Sequence, residues 1–234
     1  MPSLLTQWYD DKIMKGLFFD WYQKTADAAV AEIAEMEQGE MVAEMGQAEQ
    51  VGQAKQAIHR TALDIGTGAG YIPIFISRGN PHIQITGIDR SQSMIKRAQD
   101  HAASLGAGEN AVFEAGDAAN LKYPDDTFDM VITTMTIHCL RKPVQMLNEI
   151  HRVLKPGGKA WVIDLREYTR EDYDMYRKIK AQSPWFMRPF ITEKSMNHGS
   201  YTPRDIEMFF RQSPFIKWQF SLDGIFFKFS AQKL

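Results

Sequence analysis

Leu63-Asp64-Ile65-Gly66-Thr67-Gly68-Ala69-Gly70 is the stretch that decides the fold of this chain. An apolar strand ends on an acid, Asp64, and glycines at alternate positions lead into an amphipathic stretch that begins at Tyr71. A strand, a tight glycine loop and a helix start are the arrangement that brings backbone close to a nucleotide-like ligand. Because a carboxylate at the strand end would repel a pyrophosphate, the acid favours a ligand that carries an ammonium group.

Composition excludes several classes of protein. A chain of 234 residues, 44% of them hydrophobic, is long enough for one domain with appendages. The net charge of -2 gives no sign of a basic surface that would bind a polyanion, so we expect no nucleic-acid partner. The single cysteine, Cys139, excludes an internal disulfide and fits a reducing compartment. Met1–Lys15 lacks the pattern of a secretory signal, and no apolar run is long enough to span a membrane, so we expect a soluble cytoplasmic protein.

Strand and helix signals alternate through the middle of the chain, which predicts an α/β fold with a mainly parallel sheet. Residues 1–58 read as a helical extension in which Gly39 and Gly46 could break or bend a helix, and 59–234 as the main domain. The patterns predict strands at 61–65, 83–88, 111–114, 128–133 and 159–165, and helices at 71–78, 91–105 and 143–153. Ser91 is the predicted N-cap of the second of these helices.

The C-terminal part has a different character. Thr202 is a predicted cap with Pro203 at the first helical position, and strands at 216–222 and 225–231 flank the turn signal Asp223-Gly224. An antiparallel hairpin that closes a parallel sheet is not the ending expected of a dehydrogenase.

With these motifs the chain resembles the class I S-adenosylmethionine-dependent methyltransferases, of the small-molecule group that includes quinone-biosynthesis enzymes. The resemblance is carried by Asp64–Gly70, by the acids that follow later strands, and by the Leu154–Gly158 turn into the fifth strand. It implies a Rossmann-like seven-stranded sheet, six strands parallel and the seventh reversed, with helices on both sides. It also implies S-adenosyl-L-methionine as the cofactor, and no metal.

The resemblance further implies which residues bind the cofactor. Gly66 and Gly68 would pass beside the methionine portion, and Asp64 would favour its ammonium directly or through water. Asp89 would accept from both ribose hydroxyls, although an acid at this spacing also fits a nicotinamide enzyme. Asp117 would accept from the adenine amino group. The full expected set is Asp64, Gly66, Thr67, Gly68, Asp89, Arg90, Met94, Asp117, Ala118, Thr133 and Thr134.

His138 and Tyr9 are the candidate catalytic residues. His138 follows the fourth strand, and with a pKa near neutrality it could take a proton from an acceptor hydroxyl, amine or thiol. The alternative, a histidine that only packs beside the cofactor, is equally compatible with the sequence. Trp8–Asp10 and Phe18–Tyr22 resemble the lid helices of small-molecule methyltransferases, which implies that residues 1–58 form a helical lid. Tyr9 and Tyr22 could then close over the cofactor, or they belong to the core. Cys139 is expected to be buried rather than reactive.

The methyl acceptor is the least determined part of the function. Large apolar side chains are dense within 166–201, a segment expected to build the acceptor pocket, which indicates an apolar or aromatic small molecule or a homodimer interface. The six histidines are scattered, so no metal site is predicted. The sequence therefore predicts small-molecule methylation. The alternatives are a non-catalytic S-adenosylmethionine-binding subunit or sensor and, less well supported, an NAD-dependent dehydrogenase.

Overall fold

The computed structural model describes residues 15–45, 60–165, 177, 180–181, 185, 188, 201–223 and 226–234. Its strands are β1 (Arg60–Ile65), β2 (Ile83–Asp89), β3 (Ala111–Ala115), β4 (Phe128–Thr134), β5 (Leu154–Leu165), β6 (Lys217–Asp223) and β7 (Phe226–Gln232). Its helices are α1 (Lys15–Met45), α2 (Tyr71–Gly79), α3 (Gln92–Leu105), α4 (Pro143–Val153) and α5 (Pro203–Arg211), with a short 3-10 turn at Ile137–Cys139.

All seven strands form one sheet in the order β3-β2-β1-β4-β5-β7-β6. The first five strands are mutually parallel, and β7 is antiparallel to both of its neighbours, which makes it the one reversed strand. The predicted fold class is therefore confirmed, including the helices on both faces. The glycine turn signal at Asp223-Gly224 lies partly outside the described residues, because Gly224 is not among them.

Most predicted elements end within two residues of their predicted bounds, and two differ. β5 begins at Leu154 rather than at 159, because Leu154 already pairs with Phe128 before the register shifts around the glycine turn. Gly157 lies in that turn with a φ of 79°, a conformation that favours glycine. α1 runs through Gly39, since one glycine costs a helix interior only about 1 kcal/mol.

The helices cover the two faces of the sheet in separate layers. α1, α2 and α3 pack on one face, where the Trp21 ring stacks on Phe226 at 4.6 Å and the Tyr22 ring stacks on Tyr71 at 5.4 Å. α4 and α5 pack on the other face, where Phe210 stacks on Phe229 at 4.1 Å. The amino-terminal half of α1 thus contributes side chains to the core.

Polar side chains stabilise the start of α5 and the amino ends of the parallel strands. Thr202 caps α5 in a capping box with Asp205, in which each side chain accepts from the other residue's backbone N–H, as predicted for Thr202. At the amino ends of the parallel strands, the buried Asp129 carboxylate accepts from Arg60 Nη1 at 2.9 Å and from Lys155 Nζ at 2.8 Å. Burial raises the pKa of Asp129, but these hydrogen bonds outweigh it and hold the pKa below its usual value.

Within the described ranges, no helix combines the length and the apolar composition that crossing a membrane requires.

Candidate functional site

The carboxyl ends of the five parallel strands meet at one edge of the sheet, where a cavity of about 630 Å³ opens. The residues along this edge follow the order of the strands in the sheet, not their order in the chain. From one end to the other they are Asp117 after β3, Asp89 at the end of β2, the glycine loop after β1, and His138 after β4. A crevice outside the carboxyl ends of such a sheet is the usual ligand site of open α/β folds.

The glycine loop lines the cavity, and its glycines are required for different reasons. Gly66, Gly68 and Gly70 all have positive φ. A Cβ on Gly66 would lie 2.0 Å from Thr136 Oγ1, so that glycine is required by packing. A Cβ on Gly68 would meet nothing nearer than 4.0 Å, and Gly68 lines the cavity. The open side of Gly68 is therefore where a ligand can approach the backbone.

Asp64 lies beneath the loop, with only 1% of its surface exposed, and is not among the residues that line the cavity. Burial, with a smaller contribution from the charge of Asp89, raises the pKa of Asp64 to about 7. The nearby Thr67 hydroxyl lowers this pKa, yet neither Asp64 Oδ1 nor Thr67 Oγ1 has a hydrogen-bond partner of acceptable geometry. A cationic ligand group, directly or through water, would satisfy these two atoms and favour the ionised carboxylate.

Asp89 is held rigidly at the end of β2. Its Oδ2 accepts from the Gly68 N–H at 3.0 Å, and its Oδ1 accepts from the Ser91 N–H at 2.8 Å. The carboxylate thus ties the glycine loop to the start of α3, where Ser91 is the N-cap as predicted. Because each carboxylate oxygen has further lone pairs, both can still accept from a pair of ligand hydroxyls. Arg90 and Met94 also line the cavity beside it.

Asp117 fixes a turn and also lies at the cavity, so the structure is compatible with both roles that the sequence allows. Its Oδ1 accepts from the Ala119 N–H at 3.0 Å, which fixes the turn after β3. The residue is nonetheless exposed and lines the cavity together with Gly116 and Ala118.

Two neighbouring threonines at the end of β4 differ in their position. Thr134 lines the cavity, whereas Thr133 is 1% exposed and does not line it. Side chains alternate between the faces of a strand, so only one of two consecutive residues can point to the cavity. Of the two threonines, Thr134 is thus the one that lines the cavity, and cofactor binding by either threonine stays a prediction. Tyr22 of α1 lines the cavity as well, so it serves both the core and the site.

His138 forms an ion pair with Asp164, the residue before the end of β5. His138 Nδ1 lies 2.7 Å from Asp164 Oδ1, and the His138 backbone N–H donates to Oδ2 at 3.3 Å. Hydrogen bonds to Asp164 and to the Cys139 side chain raise the pKa of His138 to about 10, although burial lowers it. Cys139 itself is exposed, so the expectation that it is buried is wrong: the 3-10 turn faces it toward the cavity mouth.

Sequence reasoning missed three residues that shape the site. Asp164 carried a usable signal, since Val162-Ile163-Asp164 ends a strand on an acid as β1 and β2 do. His101 of α3 braces the glycine loop, with Nδ1 3.1 Å from the Ala69 carbonyl. Thr136 covers Gly66 and donates to the Thr134 carbonyl at 2.9 Å. His101 and Thr136 had no local signal, because the loop residues that they contact, Ala69 and Gly66, are distant in sequence.

Other predicted site features lie outside the described residues. These are Tyr9 and most of the aromatic segment 166–201. In the part of the chain that the structure describes, no group of three or more histidine, cysteine, aspartate or glutamate side chains is placed to hold a metal ion.

Comparison with known proteins identifies the class to which this site belongs. The model of a methyltransferase domain family matches residues 58–207. Since this match covers more than half of the chain, the protein belongs to that methyltransferase domain family.

Individual relatives agree with the family. The chain is 34% identical over 142 residues to the ubiquinone/menaquinone biosynthesis C-methyltransferase UbiE of Geobacter sulfurreducens, which covers 59% of this chain and 54% of that protein. It is 33% identical over 107 residues to the biotin biosynthesis bifunctional protein BioHC of Teredinibacter turnerae, covering 44% of this chain and 19% of that protein. The matches thus span about half or less of these relatives. The fold resembles a SAM-dependent methyltransferase structure from Aquifex aeolicus, with a TM-score of 0.58, 22% identity, and coverage of 78% and 85%.

S-adenosylmethionine is the cofactor of this class, and the described residues fit it. Gly68 leaves the backbone open to a ligand, and Asp89 is a fixed carboxylate that lines the cavity and can accept from ligand hydroxyls. The unpartnered Asp64 Oδ1 and Thr67 Oγ1 match a group that donates hydrogen bonds and carries positive charge.

Proposed function

We propose that this protein transfers a methyl group from S-adenosylmethionine to a small apolar or aromatic molecule. The supporting observation is the composition of the cavity from one end to the other. Its β2–β3 end carries Asp89 and Asp117, while its β4–β5 end carries Met135, Leu140 and Leu165, with His138 as a polar group. Thr134, Thr136 and Cys139 also line this end. Apolar side chains with a few placed polar groups suit an apolar acceptor that must be oriented.

The protein's contribution to methyl transfer is mainly positional. The cofactor, when bound, supplies a methyl group on a sulfonium leaving group that is already activated. Asp89 and the loop around Gly68 would hold the cofactor, and Asp64 would neutralise its ammonium. Leu140 and Leu165 would exclude water from the acceptor, and exclusion of water with fixed orientation is a large part of catalysis in such displacements. His138 is the group we expect to meet the acceptor's polar atom.

Among the relatives, those named for quinone biosynthesis support a quinone-type ring as the acceptor. UbiE is named as a C-methyltransferase of ubiquinone/menaquinone biosynthesis, and the apolar end of the cavity is compatible with such a ring. Residues 1–58 would then serve as a helical lid, of which Tyr22 already lines the cavity, and 166–201 as the acceptor-pocket insertion. Tyr9 remains a predicted catalytic residue.

Titration calorimetry with S-adenosylmethionine and S-adenosylhomocysteine tests the cofactor half of this proposal. We expect Asp89→Ala to weaken both ligands about tenfold or more, because it removes charge-assisted hydrogen bonds worth about 1.5–3 kcal/mol. The matched control is Asp100→Ala, which removes an exposed aspartate from the solvent side of α3. Absence of binding to the wild-type protein, or equal affinity of both variants, would refute the proposal.

A non-catalytic subunit or sensor is the alternative that keeps the same cofactor site. Native mass spectrometry of the purified protein separates a stable hetero-complex from a monomer and from the homodimer that we also propose. Turnover of labelled cofactor with a panel of hydroxyaromatic compounds would then exclude the sensor. We further propose that the protein acts in the cytoplasm on its small-molecule acceptor, and not on nucleic acid.

A further inference from the structure

A buried acid and a half-buried histidine face each other at the acceptor end of the cavity. Asp164 is 0% exposed, and its Oδ1 lies 2.7 Å from His138 Nδ1. The same carboxylate accepts from the backbone N–H groups of His138 and Leu165. Among the described residues, the ion pairs place no lysine or arginine against Asp164. His138 is therefore the counter-charge that the described structure provides.

Burial of this carboxylate favours a charged imidazole. An ionised carboxylate removed from water is strongly destabilised unless it is paired and hydrogen-bonded. Nδ1–H can donate to Asp164 from a neutral or a charged ring, and the buried negative charge favours the imidazolium, in which both ring nitrogens carry a proton. Among the described residues, the ionisable groups that act on this pair are Cys139, Tyr201 and Asp205, and none of them is a cation. Burial, and the charges of Asp205 and Asp164, raise the pKa of Tyr201.

The exposed part of the His138 imidazole lines the cavity. The His138 side chain is 24% exposed and lines the cavity with Cys139 and Leu140. Since Nδ1 is engaged by Asp164, Nε2–H is the ring donor left for a ligand. The Cys139 side chain, which also hydrogen-bonds His138, offers only a sulfur, and thiol sulfur is a weak acceptor that a ligand oxygen can outcompete. The only other cation that lines the cavity in the described residues is Arg90, which follows β2 rather than β4 or β5.

We propose that Asp164 is a positioning residue that holds His138 as an imidazolium, and that this imidazolium binds an anionic oxygen of the methyl acceptor. The second half rests on the proposed function, because it places the acceptor in this cavity; the first half does not. The acceptor class is then an apolar or aromatic molecule that carries an ionised oxygen, such as a carboxylate or an acidic hydroxyl. A charge-assisted hydrogen bond from Nε2 would orient it and stabilise its anionic form.

This role differs from that of a general base. A base must begin neutral, whereas the paired imidazolium begins with its proton and acts as a donor. The two roles therefore predict different titrations of the His138 ring in the resting protein, which makes the first half of the proposal directly measurable.

NMR titration of the histidine ring nitrogens in the full chain tests the positioning role of Asp164. We expect His138 to stay protonated up to about pH 10 in the wild type, and its midpoint to fall by at least about two pH units in Asp164→Asn. Asp117→Asn is the matched control, since it removes a charge from the same cavity without touching His138. A wild-type midpoint near 6.5, or equal midpoints in wild type and Asp164→Asn, would overturn the proposal.

A pair of probes that differ only in charge tests the anion-binding role. Protein saturated with S-adenosylhomocysteine is titrated with 2-naphthoate and with 2-naphthamide, which share shape and apolar surface. We expect the wild type to bind 2-naphthoate about tenfold or more tightly than 2-naphthamide. In His138→Gln and in Asp164→Asn the ratio of the two affinities should approach one, because the charged hydrogen bond is lost. Equal affinity of the two probes for the wild type, or binding of neither, would overturn this half.

The two proposals fail in distinguishable ways. Failure of the wild-type protein to bind S-adenosylhomocysteine refutes the methyltransferase function and leaves the His138 titration to be judged by itself. Normal binding of S-adenosylhomocysteine by both variants shows that they are folded, so a lost preference for naphthoate then reports the imidazolium alone.

Discussion

Replacing Asp64 with asparagine should make the cofactor-free protein more stable while it weakens cofactor binding. The wild-type carboxyl is buried beneath the glycine loop, where desolvation raises its pKa from 3.8 to about 7. A folded-state pKa above the unfolded value means that the folded protein holds a proton which the unfolded chain has lost. Stability from this group is therefore greatest at low pH and falls as the pH rises through about 7.

The size of the effect follows from the shift. One pKa unit corresponds to about 1.4 kcal/mol, so the complete shift is worth on the order of 4 kcal/mol. Between pH 5.5 and 8.5 the wild type should lose about 2 kcal/mol of this, and Asp64→Asn should lose none of it. For a chain of this size the gap in melting temperature between variant and wild type should widen by about 4–8 °C over that range.

Calorimetric melting of both proteins at several pH values measures this gap. Asp100→Asn serves as the matched control, because it changes an exposed aspartate on α3 and should show a constant gap. In parallel, Asp64→Asn should bind S-adenosylhomocysteine about tenfold or more weakly at pH 8, where the wild-type carboxylate is ionised. A gap that does not change with pH would contradict the buried, proton-holding state of Asp64. Unchanged affinity would contradict its role toward the cofactor's ammonium.

Three further predictions concern the loop and the framework. Gly68→Ala should lose about 1–2 kcal/mol of stability and most of the protein's affinity for S-adenosylhomocysteine. Gly106 has a similar positive φ and equally open space but lies outside the cavity, so Gly106→Ala should lose stability and keep its affinity. Equal affinities of the two variants in titration calorimetry would refute this prediction. Asp129→Ala should destabilise by about 3–5 kcal/mol in urea unfolding, because it leaves the buried Arg60 without this carboxylate; a loss below about 1 kcal/mol would count against a structural ion pair there. Thr202→Ala should cost about 1 kcal/mol by the same method, with Thr202→Ser restoring most of it, whereas equal losses in both would deny the cap.

Local patterns were sufficient wherever a residue's partners are near in sequence or fixed by strand geometry. The strand-end acid Asp89, the N-cap Ser91 and the capped start of α5 were predicted because each depends on the few residues around it. The glycine loop was predicted for the same reason, since its turn needs positive φ at Gly68 whatever surrounds it. The parallel order followed from the alternation of strands and helices.

Long-range packing decided the rest, because the sequence does not state which distant residues meet. Only the sheet order brings the end of β5 beside β4, so that Asp164 meets His138, 26 positions earlier. The tertiary structure likewise decides that Thr134 lines the cavity and Thr133 does not. Exposure of Cys139 depends on how the 3-10 turn packs. The sequence by itself determined the fold class and the glycine loop, since these rest on local conformation. The tertiary structure decided the environment of His138, since it depends on burial and on a partner from another strand.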